Sequence, residues 1–244
     1  EAIGGTAHLQ MQLLGKRFGL LGTDHKGRDI FSIMLTGAKT SLFIGIAAAL
    51  VSCILGVIIG CIAGFFGGIL DTILMRLCDI LMSIPTLPIL LILAAFWGKG
   101  ILQIVFIMSI FAWMGTARTI RAYVKSLRES AWVQSLQAMG ASNKYIIGRH
   151  IIRETYPIIL ANIVIGVPSA IMGEAGLSFL GMSDPRIISW GRVLHDAHSF
   201  GAFTHLAWWI LLPPGLAICL LSLTFIAAGR FMEEKLDHRL QDKF

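Results

Sequence analysis

Charge is what this chain has least of. Only 14% of its 244 residues are Asp, Glu, Lys or Arg, against roughly 25% in an ordinary soluble domain. In its place, 56% of the residues are hydrophobic and the mean hydropathy is +0.77. So little charge cannot cover a water-facing surface, which excludes a soluble globular domain and leaves an integral membrane protein. Cysteine is scarce and unpatterned: Cys53, Cys61, Cys78 and Cys219 form no CxxC pair and sit in or beside apolar runs. That argues against a disulfide framework or a cysteine metal site and for simple packing. No GxxxxGKS/T loop is present to cradle phosphates, so the chain carries no ATP site of its own. No HExxH and no serine–histidine pair at membrane depth is present, which removes an intramembrane hydrolase. No catalytic residue, metal ligand or bound cofactor is expected in this chain. Residues 1–18 hold no continuous apolar stretch of signal-peptide type. The chain opens on Glu1 rather than methionine, and we expect the sequence to be incomplete at its N-terminus.

What is present is a series of apolar runs. A helix needs about 20 apolar residues to cross a hydrocarbon core of roughly 30 Å, and residues 41–66, 80–97, 101–117, 158–180 and 206–228 meet that need. The fold class is therefore all-α, a polytopic membrane helix bundle with five visible transmembrane helices. One transmembrane domain spans residues 41–244, behind a polar, Gly-rich segment at 1–40. Gly56, Gly60 and Gly64 recur every four residues in the first run, a small-residue stripe suited to close helix packing. Gly67 and Gly68 end that run, and residues 71–79 form a short amphipathic piece carrying Arg76. Pro85 and Pro88 predict an irregular start to the second run. Gly166 and Pro168 interrupt the fourth, and Trp208-Trp209 suit an interface belt at the head of the fifth. The charged tail, 230–244, is expected to be helical.

The net charge of +6 and a pI near 9.4 could suggest nucleic acid, but the basic residues lie between apolar runs, as the positive-inside bias requires. No nucleic-acid partner is expected. With residues 118–157 on the cytoplasmic side, that side holds twelve Lys and Arg and the other eight, five of them ahead of the first run. This orientation makes the C-terminus cytoplasmic and places 1–40 outside.

The longest polar interruption is residues 128–157, RESAWVQSLQAMGASNKYIIGRHIIRETYP. Its composition favours a helix as far as Met139. Gly140 is placed as a left-handed stop, and Ser142 can cap a second helix through Arg149. Trp132, Val133, Leu136 and Met139 give the first arm apolar side chains. Such a helix-Gly-helix hairpin suits either a groove on a soluble partner or a bed of lipid headgroups.

The same stretch resembles the EAA loop of ABC importer permeases, in which Glu-Ala-Ala precedes a glycine and then an Ile-x-Leu-Pro group. The triplet falls on Gln134, Ser135 and Leu136 and the glycine on Gly140. Ile152-Arg153 stand where Leu-Pro is expected, with Pro157 four residues later. Gly140-Ala141-Ser142 and Arg149-His150-Ile151 resemble the loop of the peptide/nickel branch. LLGTDHKGRDIFS (20–32), GAKTSL (37–42), GEAGLSFLG (173–181), SWG (189–191) and PPGLAI (213–218) resemble, in the same order, its second permease subunit. The likeness covers nearly the whole chain from about Leu20.

This resemblance implies half of a translocation pore in the cell membrane, completed by a homologous permease. It also implies a solute-binding protein outside and two ATP-binding subunits, which would hold ATP and Mg. Trp132, Val133, Gln134, Ser135, Leu136, Gly140, Ala141 and Ser142 are then the ATPase-coupling residues. Members of the family carry six spans, so a helix ahead of the GTD segment is expected that this sequence does not contain. The implied cargo is an oligopeptide or dipeptide, with nickel or a nickel chelate as the alternative. An ion-coupled secondary transporter is the rival from another class. It needs buried coupling charges and repeat-related broken helices, and apart from Glu174 the apolar runs offer none.

Glu174 lies about 16 residues into its run, roughly 24 Å along it, which predicts a solvated carboxylate near the outer face. The competing reading places Glu174 and Ser178 on the translocation pathway. His195, His198 and His205, with Asp196, fall in an external loop and could face a borderline metal. Their spacing matches no tight ligand template, so solvated histidines are expected.

Overall fold

The computed structural model describes residues 20–204 and 206–241, and their regular structure is helical apart from one bridge between Thr23 and Asp29. In order the elements are α1 (Ile30–Phe66), α2 (Gly68–Ser83), α3 (Thr86–Trp97), α4 (Ile101–Arg128) and α5 (Ala131–Ala138). They continue with α6 (Asn143–Phe179), α7 (Trp190–Ser199) and α8 (Trp208–Gln241). Helices α1, α4, α6 and α8 are long and apolar enough to cross a bilayer, and α2 with α3 forms a fifth candidate as a bent pair. This is the polytopic helix bundle that the apolar runs require.

The helices outrun their apolar cores. Helix α1 starts at Ile30 and has 37 residues, about 55 Å at 1.5 Å per residue, well beyond a hydrocarbon core of roughly 30 Å. Helix α4 passes through Arg118 and Arg121 to Arg128, and α8 carries the fifth span on into the charged tail. The expected interruption at Gly166 and Pro168 does not occur, because α6 is helical through both. A proline frees one carbonyl four residues back, whereas breaking the helix in lipid would expose several backbone groups at once.

The second run starts irregularly, as Pro85 and Pro88 predict, but the break is sharper than a kink. Residues 80–97 are not one helix: α2 and α3 meet at a bend of 88°. The residue before a proline is pushed out of the α region, and Ile84, just ahead of Pro85, is extended at φ −87°, ψ 131°. Pro88 sits in the first turn of α3, where its missing N–H is no loss. One proline thus turns the chain and the other is accommodated.

The described chain forms two compact units. One comprises the chain up to Ile46, Leu91–Val105 and Pro168–Thr224, and the other Ala47–Leu90, Phe106–Val167 and the chain from Phe225. In the second unit α1 lies against α4 along the glycine stripe. A Cβ on Gly56 would come within 2.6 Å of Thr116 Cβ, one on Gly60 within 2.7 Å of the Ala117 carbonyl, and one on Gly64 within 2.7 Å of the Arg121 carbonyl. No side chain larger than hydrogen fits between these backbones. Across the same unit the acidic residues of α2 meet the basic residues of α4. Arg121 grips Asp71 through two hydrogen bonds and Arg118 pairs with Asp79.

Gly60→Val is therefore expected to destabilise the solubilised protein by about 1–3 kcal/mol or more, the usual cost of overpacking. Gly115→Ala, which meets nothing within 4 Å, should be neutral or stabilise by up to about 1 kcal/mol. Thermal unfolding in detergent measures both, and equal shifts in the two variants would contradict the close approach.

Candidate functional site

The polar hairpin is built from its anchors outward. Helix α5 ends in a left-handed glycine, with Gly140 at φ 84°. The Gly140 N–H donates to the Gln137 carbonyl and the Ala141 N–H to that of Leu136, both at 3.0 Å, the paired bonds of a Schellman stop. The Ser142 hydroxyl then accepts from the Tyr145 N–H at 3.4 Å, capping α6. Both turn residues thus have the geometry their sequence suggests. The arms differ from expectation. The first is only Ala131–Ala138, since Arg128 closes α4, and the second does not end at Arg149. It runs through a π-helical turn, Ile146–Ile151, into the fourth span without a break.

The apolar face of the first arm is divided between two tasks. Val133 is fully buried with Cys61, Phe65, Ile120, Val124, Ile146 and Ile151, and Leu136 and Ala141 pack against that cluster. These residues fasten the hairpin to α1, α4 and α6. Trp132 and Met139 face outward, 38% and 74% exposed. Gln134 donates to the carbonyl of Glu129, just ahead of the arm, at 3.1 Å, and Ser135 to that of Ala131 at 2.9 Å, so both side chains bond to nearby backbone. Beside the hairpin lies a pocket of about 370 Å³ lined by Trp132, His150, Arg153 and Glu154.

A second constellation joins three of the sequence segments singled out above. Glu174 is 1% exposed, which corrects the expectation of a solvated carboxylate. Ser178 donates to its Oε1 at 2.6 Å and Ser41 to its Oε2 at 3.4 Å, with the Ser189 hydroxyl a further neighbour. Ser41 in turn accepts from the Trp190 N–H at 3.1 Å, and the Trp190 indole donates to the Met34 carbonyl at 3.0 Å. A Cβ on Gly191 would lie 2.5 Å from Ala175 Cα. GAKTSL, EAGLS and SWG therefore meet at one joint, and α7 covers the carboxylate that helix length alone would leave exposed.

Helix α7 occupies residues that their histidines and charges make look like loop. Its signals were there: Ser189 is an N-cap that accepts from the Arg192 N–H at 3.2 Å, and Trp190, Val193 and Ala197 make a buried stripe at helical spacing. The TDHKGRD loop docks on this helix. Asp196 is paired with Lys26 at 2.9 Å, Arg192 at 3.0 Å and Arg28 at 3.4 Å. Burial alone would raise the Asp196 carboxyl, but the Lys26 hydrogen bond and the three cations outweigh it and hold it below the ordinary value. His25 stacks on Phe200 at 4.2 Å, and burial there lowers its imidazole.

The histidines of α7 point to separate tasks. His195 Nδ1 donates to the Phe179 carbonyl at 2.7 Å, while His198 packs between the rings of Phe179 and Phe203. Among the described residues no three of His, Cys, Asp and Glu are grouped to hold a metal ion. His205 lies outside the described residues.

Residues 56–242 match the family described as "Binding-protein-dependent transport system inner membrane component". The chain belongs to this family. As a permease it is 37% identical over 221 residues to the oligopeptide transport system permease protein OppC of Bacillus subtilis (strain 168), covering 90% of this chain and 72% of that one. It is 34% identical to the dipeptide transport system permease protein DppC of the same organism, over 90% of this chain and 68% of the other. Its fold is similar to that in an inward-facing structure of the MetNI methionine ABC transporter, with a TM-score of 0.62 at 15% identity, over 83% of this chain and 97% of that one. The permease is thus a multi-pass membrane subunit of an ABC transporter.

In this permease Glu174 works as a buried joint. Glu174→Ala would strip two buried hydroxyls of their acceptor, at about 1–3 kcal/mol each, while Glu174→Gln keeps the shape and an acceptor oxygen. The alanine variant is expected to lose markedly more thermal stability than the glutamine variant. Matching unfolding curves for the two would count against the joint.

Proposed function

We propose that this permease forms half of the pore of an ATP-driven importer for oligopeptides or dipeptides. It pairs with a homologous permease, receives cargo from an extracytoplasmic solute-binding protein and is driven by two ATP-binding subunits. The observation that carries the reading is the 34–37% identity to permeases named for those two cargoes, across 90% of the chain. ATP hydrolysis belongs to the partner subunits, so this chain contributes no catalytic step. The hairpin, with Trp132, Val133, Gln134, Ser135, Leu136, Gly140, Ala141 and Ser142, is the coupling element. Val133, Leu136 and Ala141 mount it, and Trp132 and Met139 present it. With the hairpin and C-terminus cytoplasmic, the TDHKGRD loop and α7 face outside.

The exposure pattern selects the variant that tests coupling. Leu136→Arg would disrupt the core, whereas Met139→Glu changes only an outward side chain. In the reconstituted complex Met139→Glu is expected to leave the permease pair assembled and to cut substrate-stimulated ATP hydrolysis at least fivefold. Unaltered stimulation would remove the hairpin from the coupling path.

Orientation has its own test. Lys26 is half exposed at its side chain, and a Lys26→Cys variant is expected to react with an impermeant thiol reagent on intact cells. Labelling only after permeabilisation would reverse the topology.

A further inference from the structure

The pocket beside the hairpin holds chemistry that the mounting of the hairpin leaves unused. Trp132 of α5 and His150 of α6 face one another with ring centroids 6.0 Å apart, and Tyr145 meets the same imidazole edge-on at 5.4 Å. These contacts fix the imidazole plane, yet its Nε2 is buried without a hydrogen-bond partner. A buried polar atom left unpaired is costly and rare in a finished assembly. Arg153 extends from the pocket rim into solvent. Among the described residues no ion pair or hydrogen bond is recorded for its guanidinium, whereas Glu154 already interacts within the chain. The pocket therefore offers a planar cation, a ring nitrogen and an indole wall, with one acid, Glu154, that also interacts within the chain.

A carboxylate fits this set. It accepts from a guanidinium through two parallel bonds, and the methylene groups behind it lie against an indole face. Lys144 and Arg149 on the same arm add to the positive potential. We infer that this pocket receives an acidic side chain, Asp or Glu, of the ATP-binding subunit that docks on the hairpin, held between Arg153 and His150 with Trp132 as its apolar wall. The inference rests on the coupling reading above. The sequence agrees with it: Gln134 stands where the loop it resembles has an acid, and Arg153 where that loop has its Leu-Pro pair. In this permease the fixed charge of the hairpin is a cation on the second arm, so a matched ATP-binding subunit presents an anion to it.

The test uses the assembled complex of both permeases and both ATP-binding subunits, in nanodiscs of zwitterionic lipid and again with anionic lipid. Arg153→Glu is expected to weaken retention of the ATP-binding subunits at least tenfold in both lipids and to flatten its dependence on salt. Arg153→Lys, which keeps the charge but cannot make two parallel bonds, should fall between the parent and Arg153→Glu, and reversing one acidic residue on the ATP-binding subunit should rescue Arg153→Glu. A Met139→Cys variant reports docking independently, through a crosslink to the ATP-binding subunit. If the crosslink forms and Arg153→Glu binds as tightly as the parent, the pocket assignment is wrong and the docking reading stands. If no crosslink forms in a complex that retains its ATP-binding subunits, the docking reading fails and takes this one with it. An Arg153→Glu effect confined to anionic lipid gives Arg153 to a lipid headgroup and likewise overturns the assignment.

Discussion

The approach of α1 to α4 at backbone contact is the constraint on which the hairpin-bearing unit depends. Lipid gives helices little reason to bury apolar surface against one another, so association rests on close packing and fixed polar contacts. Gly56, Gly60 and Gly64 supply the packing, since each opposes a backbone carbonyl or a Cβ of α4 at a distance that admits no methyl group. The same register brings Cys61 and Phe65 of α1 beside Ile120 and Val124 of α4, and it is onto this surface that Val133 is set. The hairpin is positioned by the glycine stripe at one remove.

The charged groups finish what packing begins. In a chain so poor in charge, the acids of α2 are spent on the arginines of α4, and the acid of α7 is shared among three cations. Glu174 is the exception, a buried carboxyl served by hydroxyls alone. Hydroxyls can satisfy its oxygens without adding another charge to the interior. They also come from three separate segments, so the one carboxyl fixes α7 to both α1 and α6. This makes Glu174 a structural member of the unit and accounts for the spacing of three motifs that look unrelated along the chain.

How much of this was legible follows the range of the interactions involved. Apolar runs, the Gly67-Gly68 stop, the left-handed Gly140 and the Ser142 cap are local, and each was readable from neighbouring residues. The 88° turn was partly readable, because Pro85 marks where the chain must leave the helix but says nothing of the angle. Helix length does not follow from hydropathy, which reports where lipid ends, while hydrogen bonding lets α1 and α4 continue beyond it. The burial of Glu174 was not legible at all. It depends on α7 folding back over α6, and α7 was masked by histidines and charges that read as loop until their partners are known.

The continuity of the second arm with α6 bears on how motion enters the permease. A hairpin of two short helices on flexible links could shift without moving a span, and part of any displacement would be lost in the links. Here Asn143 to Phe179 is one helical element, and the first arm is fastened to it by Val133 and Leu136. Force applied at Trp132 or Met139 is therefore carried into α6 by packed side chains and a continuous backbone. The π-helical turn at Ile146–Ile151 is the one irregularity along that route, and such turns concentrate at functional positions. It lies within the buried cluster, with Ile146 and Ile151 inward and His150 at the pocket. The second arm of the hairpin and the fourth span thus belong to one continuous helix, and its π-helical turn sits at the pocket.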